Sequence, residues 1–131
     1  MSKYTVFVYG TLKDGFSNNR LLSAADFVGR GCTVKPYVMM DTGGFPVVFQ
    51  ETAKANVAGE VYEVDGQTLK ALDRLEGHPS FFERREVTVD IEDTGVQQTC
   101  WMYFGNSEGW GSRSLPEAPV HANGSYNWRS E

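Results

Sequence analysis

Two stretches of this chain combine residue types that packing alone does not require, LDRLEGHP at 72–79 and YTVFVYGTL at 4–12. In the first, Glu76 lies four residues after Leu72 and seven after Leu69. On a helix turning ~100° per residue this makes a carboxylate extend the apolar, core-facing stripe. A helix C-terminus disfavours negative charge, and partial burial does the same, so both raise a carboxylate pKa towards neutrality and suit it to accepting a proton. The wheel alone also admits a last turn that tilts Glu76 into solvent, as helix-end acids commonly do. In the second stretch, strand pattern ends at Tyr9 and breaks into Gly10, Thr11 and Leu12. Backbone N–H groups freed at a strand end can converge on a carboxylate, with Gly10 allowing close approach, although a plain glycine turn accounts for the same residues. An anion-holding loop and one half-buried carboxylate are the minimum for a proton-transfer enzyme.

The elements that must position these residues follow from periodicity. Thr5 to Tyr9 predicts a strand with Val6 and Val8 on one face and Phe7 and Tyr9 on the other. Arg20 to Phe27 reads as one or two helical turns, and strand-like pieces follow at Thr33 to Met40, Val47 to Gln50 and Asn56 to Val64. Asp65 is the expected N-cap of a helix over 66–76, stopped by Gly77 and Pro79. Arg85 to Glu92 and Val96 to Phe104 alternate around Asp93-Thr94-Gly95 and predict a hairpin. From Gly105 the composition shifts to Gly, Ser, Pro and Asn, predicting an irregular tail over 105–131 that wraps the body through Trp110, Tyr126 and Trp128. Some six strands with one clear helix predict a single α+β domain over 1–131, a compact, mainly antiparallel β-barrel with a few flanking helices.

Composition narrows the function. With 131 residues, 40% of them hydrophobic, the chain suits one globular core. A net charge of −5, with 12 basic against 17 acidic residues, provides no stripe to neutralise a phosphate backbone, so no nucleic-acid partner is expected. No run approaches a membrane span of about 20 apolar residues, and strand pattern starts at once without a signal-peptide core, so a cytoplasmic location and no membrane partner are expected. Cys32 and Cys100 lack a CxxC partner and read as buried free thiols; His78 and His121 have no metal-ligand spacing, so no metal is expected. Neither GxGxxG nor a Walker pattern occurs, which argues against nucleotide binding. Asp-Thr-Gly occurs at 41–43 and 93–95, as in acid proteases, but the second copy lacks an apolar approach and no covering Gly-Arg-Asn or Gly-Arg-Asp follows.

Taken in order, VYGTL at 8–12, GGFP at 43–46, GEVYEV at 59–64, LDRLEGHP at 72–79, FFERREVTV at 81–89 and CWMYF at 100–104 closely resemble the gamma-glutamylcyclotransferase-like family, the gamma-glutamylamine cyclotransferases above all. The resemblance implies a cavity between the YGTL loop and the acidic helix end. It implies an acyltransferase- or lyase-type reaction in which a γ-glutamyl amine or peptide cyclises to 5-oxoproline and releases an amine, with no cofactor. By this resemblance Glu76 is the general acid and base, and the backbone of Gly10, Thr11 and Leu12 holds the substrate. Tyr9, Phe82 and Tyr103 complete the expected binding set. A non-catalytic relative binding a γ-glutamyl or other small amino-acid ligand is the alternative. The sequence departs from the family at Phe82, where a tyrosine is common; Tyr103 and Tyr126 are the hydroxyls that can replace it. Arg84 is expected to be an ion-pair partner and His78 to face solvent.

Overall fold

The computed structural model of the protein describes residues 3–92, 94–110 and 114–128. Five strands close a mixed barrel: β1 (Lys3–Val8), β2 (Asp26–Thr33), β5 (Asn56–Asp65), β6 (Phe82–Ile91) and β7 (Gln97–Gly105). Around the ring, β1 pairs in parallel with β7, β7 antiparallel with β6, β6 with β2 and β2 with β5, and β5 returns antiparallel to β1. Closure removes the free edges that an open sheet would present. A short hairpin of β3 (Val38–Asp41) and β4 (Pro46–Phe49) packs beside the barrel, and β8 (Ser125–Tyr126) adds to β5 in parallel.

Alternation along the strands sorts side chains into two cores. Phe7, Val57, Val61, Val87, Val89, Met102 and Phe104 fill one, within the barrel. Val6, Val8, Tyr62 and Val64 face the other way and pack with Leu69 and Leu72 of helix α1 (Gly66–Glu76). Burying those two leucines contributes about 1.5–3 kcal/mol each. The helix has the expected bounds: the Asp65 carboxylate accepts the Thr68 amide at 2.8 Å, and Gly77 ends it at φ +66°. The amides of Gly77 and His78 then donate to the carbonyls of Arg74 and Asp73. The hairpin of β6 and β7 also follows the alternation, although Asp93 of its turn lies outside the described residues.

Two expectations are corrected. Of the stretch Arg20 to Phe27 expected to be helical, only Arg20 to Leu22 is, within the 3-10 turn Asn19–Leu22, and Asp26 already begins β2. The strand expected through Thr33 to Met40 is instead the end of β2 and, after a break, β3. The reason is steric. A Cβ on Gly31 would lie 2.5 Å from Val89, and one on Gly29 3.2 Å from Ile91, so neighbouring branched side chains occupy the space that apolar residues of β2 would otherwise fill. A bulge between Phe27 and Gly29 and exposed Phe27 and Val28 complete the loss of alternation. The tail does bury Trp110, Tyr126 and Trp128, but it also holds a helical turn, α2 (Ser107–Trp110), as well as β8.

Candidate active site

The C-terminus of α1 delivers Glu76 to the wall of a cavity of about 410 Å³. The side chain is half-buried, and among the described residues it makes no hydrogen bond or ion pair. Loss of solvent therefore acts unopposed on the carboxyl and pushes its pKa up to about 7. Among the described residues, Glu76 is also the only charged one that lines the cavity. Helical spacing thus puts the acid at the edge of the core rather than in bulk water.

Tyr9, Gly10, Thr11 and Leu12 line the same cavity. The carbonyls of this loop are occupied: Gly10 accepts the Lys13 amide at 3.0 Å, Thr11 the Asn18 amide at 2.9 Å, and Leu12 the Asn19 side-chain amide at 2.8 Å. No acceptor among the described residues takes the amides of Gly10, Thr11 or Leu12, which leaves three donors in sequence. Gly10 has a second reason to be glycine. A Cβ there would lie 2.9 Å from the ring of Pro46, whose loop also brings Gly44 and Phe45 to the cavity. The first Asp-Thr-Gly builds this loop: the Asp41 carboxylate accepts the Gly43 amide at 2.7 Å and Gly43 has φ +99°. Asp93 of the second copy is outside the described residues.

The tyrosine hydroxyls are committed elsewhere. Tyr9 donates to the Tyr103 carbonyl at 2.7 Å, and Tyr103 donates to Asp73 Oδ1 at 2.6 Å. Arg84 grips the same carboxylate at both oxygens, at 2.7 and 3.0 Å, and stacks over Trp101. Burial pushes Asp73 up, but the hydrogen bonds from Arg84 and Tyr103 outweigh it and hold the carboxyl below its ordinary range. Burial raises the Tyr9 hydroxyl, with Glu76 adding to the effect. Asp73 sits one helical turn before Glu76, so this network ties the acid-bearing end of α1 to β6 and β7. Sequence reasoning passed over Asp73; its i, i+3 spacing to Glu76 is the signal that could have found it.

Arg84 is the expected ion-pair partner, whereas His78 does not simply face solvent: it is half-buried and its Nδ1 accepts the Arg84 amide at 3.2 Å. Tyr126 is removed from the cavity, buried in the barrel with its hydroxyl donating to Glu117. Phe82 does line the cavity, and its ring meets Phe81 and Trp110 edge-on, while Phe81 and Trp110 stack at 4.3 Å. Trp110 also donates its indole N–H to the Phe81 carbonyl, so α2 braces the aromatic wall from outside. Cys100 is buried and its thiol pushed up to about 12; Cys32, expected to be buried, is only half so, and burial with Asp90 and Glu92 raises it too. Neither supplies a ready thiolate. Among the described residues no group of three His, Cys, Asp or Glu is arranged to hold a metal, and no helix is long and apolar enough to cross a membrane.

The sequence matches the family described as gamma-glutamyl cyclotransferase, AIG2-like, over residues 6–129. It is 42% identical over 100 residues to a Methanocaldococcus jannaschii protein assigned to the gamma-glutamylcyclotransferases, covering 76% of this chain and 82% of that one. It is 40% identical over 112 residues to the gamma-glutamylaminecyclotransferase of Rattus norvegicus, covering 75% of each. An AIG2-like protein from Mus musculus has the same fold, with a TM-score of 0.75 at 30% identity over 91% of this chain and 97% of that one. The barrel, the cavity at the helix end and these likenesses agree: the chain belongs to the gamma-glutamyl cyclotransferase, AIG2-like family and is an enzyme of the cyclotransferase type.

Proposed function

We propose that this protein converts a γ-glutamyl amine or γ-glutamyl peptide to 5-oxoproline and a free amine, with Glu76 as the single general acid and base. The observation that carries the reading is an unpaired carboxyl at a cavity wall, its pKa near 7, sharing that cavity with a loop of three unaccepted amides. The relative from Rattus norvegicus is named for an action on γ-glutamylamines, which supports the substrate class.

The chemistry asks little of the protein because attack is intramolecular. The substrate's α-nitrogen forms a bond to its own γ-carbonyl carbon, closing a five-membered ring, and the bond from that carbon to the leaving nitrogen breaks. No water is consumed. Two protons leave the α-ammonium, and both end on the released amine. Glu76, poised near neutrality, takes a proton from the α-nitrogen and hands it to the leaving nitrogen. The amides of Gly10, Thr11 and Leu12 hold the substrate α-carboxylate, each charge-assisted hydrogen bond contributing about 1.5–3 kcal/mol. Tyr9, Phe82 and Tyr103 confine the folded substrate so that nucleophile and carbonyl stay in reach.

The test uses a γ-glutamyl amine and its Nα-acetyl derivative. The expected outcome is 5-oxoproline from the first and no amine release from the second, since acetylation removes the nucleophile. Release of N-acetylglutamate and amine would make water the nucleophile and overturn the proposal.

A further inference from the structure

Lys13 follows directly on the amide loop, yet it does not line the cavity and is itself only 6% exposed. A lysine is almost never so buried without partners, because its ammonium gives up hydration that something must replace. Its partners lie near the other end of the chain. Nζ donates to Asn127 Oδ1 at 3.1 Å and to the Trp128 carbonyl at 2.8 Å, and stands 5.2 Å from the centre of the Phe16 ring. That part of the tail is a firm anchor: Ser125 and Tyr126 pair with Asn56 and Val57 of β5, and Trp128 is buried in the barrel core. At the near end, the Lys13 amide closes a turn onto the Gly10 carbonyl, and this turn carries the Thr11 and Leu12 amides.

Resting on the cyclotransferase reading above, we infer that Lys13 is a positioning residue: it clasps the C-terminal tail at Asn127 and Trp128 and thereby keeps the Thr11 and Leu12 amides aimed at the substrate carboxylate. The physical reason is angular. A hydrogen bond weakens steeply once its donor turns away from the acceptor, so amides on a turn that begins at a glycine hold an anion only while the turn is fixed. An apolar side chain at position 13 would bury equally well, but packing has no direction and would not tie the turn to two chosen atoms of the tail. The ammonium does, because each of its bonds to Asn127 and Trp128 has a length and an angle to keep. Lys13 exchanges no proton with the substrate, which it does not touch.

The experiment measures KM and kcat for 5-oxoproline formation by Lys13→Met, Asn127→Ala and the double variant. Its substrate is whichever of γ-glutamylethylamide, γ-glutamylphenethylamide and γ-glutamylalanine the unaltered protein turns over fastest, and circular dichroism reports the fold. Lys13→Met keeps the apolar stem and removes the ammonium. It is expected to raise KM at least about 10-fold, the scale of one charge-assisted hydrogen bond, with kcat changing less than about 3-fold. Asn127→Ala keeps the cation and is expected to raise KM about 3-fold or more, although Asn127 lines no part of the cavity. The double variant should match Lys13→Met, since both changes break one contact. A merely structural role gives a different result, because lost stability lowers the active fraction and hence the apparent kcat while leaving KM where it was. Should Lys13→Met not fold, Asn127→Ala, at a half-buried position, carries the test. A KM unmoved by either variant, or effects that multiply in the double variant, would overturn the inference and leave the cyclotransferase reading standing. A KM raised by Lys13→Met alone, with a rise that shrinks as salt is added, would make the field of the cation the cause and overturn the clasp. Absence of 5-oxoproline from all three substrates with the unaltered protein would overturn the reading itself, and this inference with it.

Discussion

Glu76 owes its chemistry to one cause, removal from water without a partner, and that cause makes its behaviour with pH specific. Raised from the ordinary carboxylate range to about 7, it is protonated below neutrality and becomes a base above it. The kcat/KM profile should accordingly have a rising limb with an apparent pKa near 7. Stability should run the other way. A carboxyl whose folded pKa lies above its unfolded value contributes stability in the protonated form, present below the ordinary carboxylate range and lost as pH rises through about 7. Glu76→Gln keeps the neutral shape and lacks this loss. In urea denaturation the variant should match the parent near pH 4 and exceed it at pH 8, by roughly 1–3 kcal/mol. A parent as stable relative to the variant at pH 8 as at pH 4 would mean that the carboxylate is solvated.

At the scale of elements, the end of α1 is held by Asp73 between Arg84 and Tyr103, with both partners of the ion pair only 21% exposed at their side chains. Asp73→Asn removes the charge that Arg84 grips and loosens the helix end. The expected result is a fall of about 10- to 100-fold in kcat, with KM changing much less and the rising limb remaining near pH 7 because Glu76 is still present. An equal loss in KM, or no loss, would remove Asp73 from positioning. The loop opposite is equally tight at one point: Gly10→Ala drives a Cβ against Pro46 and should cost about 1–3 kcal/mol in thermal or urea unfolding, with activity falling alongside. These elements differ in how far the sequence revealed them. Helix α1 was legible because an Asp cap, a Leu69–Leu72 stripe and a terminal Gly77 agree. Strand β2 was not, since its glycines surrender the alternation to Val89 and Ile91 across the ladder. Asp73 was hidden for a different reason: an acid on a helix reads as solvent-facing until the distant Arg84 and Tyr103 are seen to meet it.

For the whole molecule, barrel closure brings residues far apart in sequence to one cavity: the loop after β1, the loop into β4, the end of α1 and the start of β6. Order along the chain made the motifs recognisable, but which side chains share the cavity depends on how the ring closes, and that is a property of strand pairing rather than of local pattern. The parallel β1–β7 contact and the bracing of Phe81 by α2 are pairings of this kind. The arrangement suits the proposed reaction, which needs only a folded substrate and one proton carrier. The most direct test of that proton's carrier is the initial rate of 5-oxoproline release from a γ-glutamyl amine by Glu76→Gln against the unaltered protein at pH 8, with circular dichroism reporting the fold. A folded variant slower by about 10²–10⁴-fold is the predicted result, and one that keeps more than about a tenth of the rate would contradict Glu76 as the acid and base.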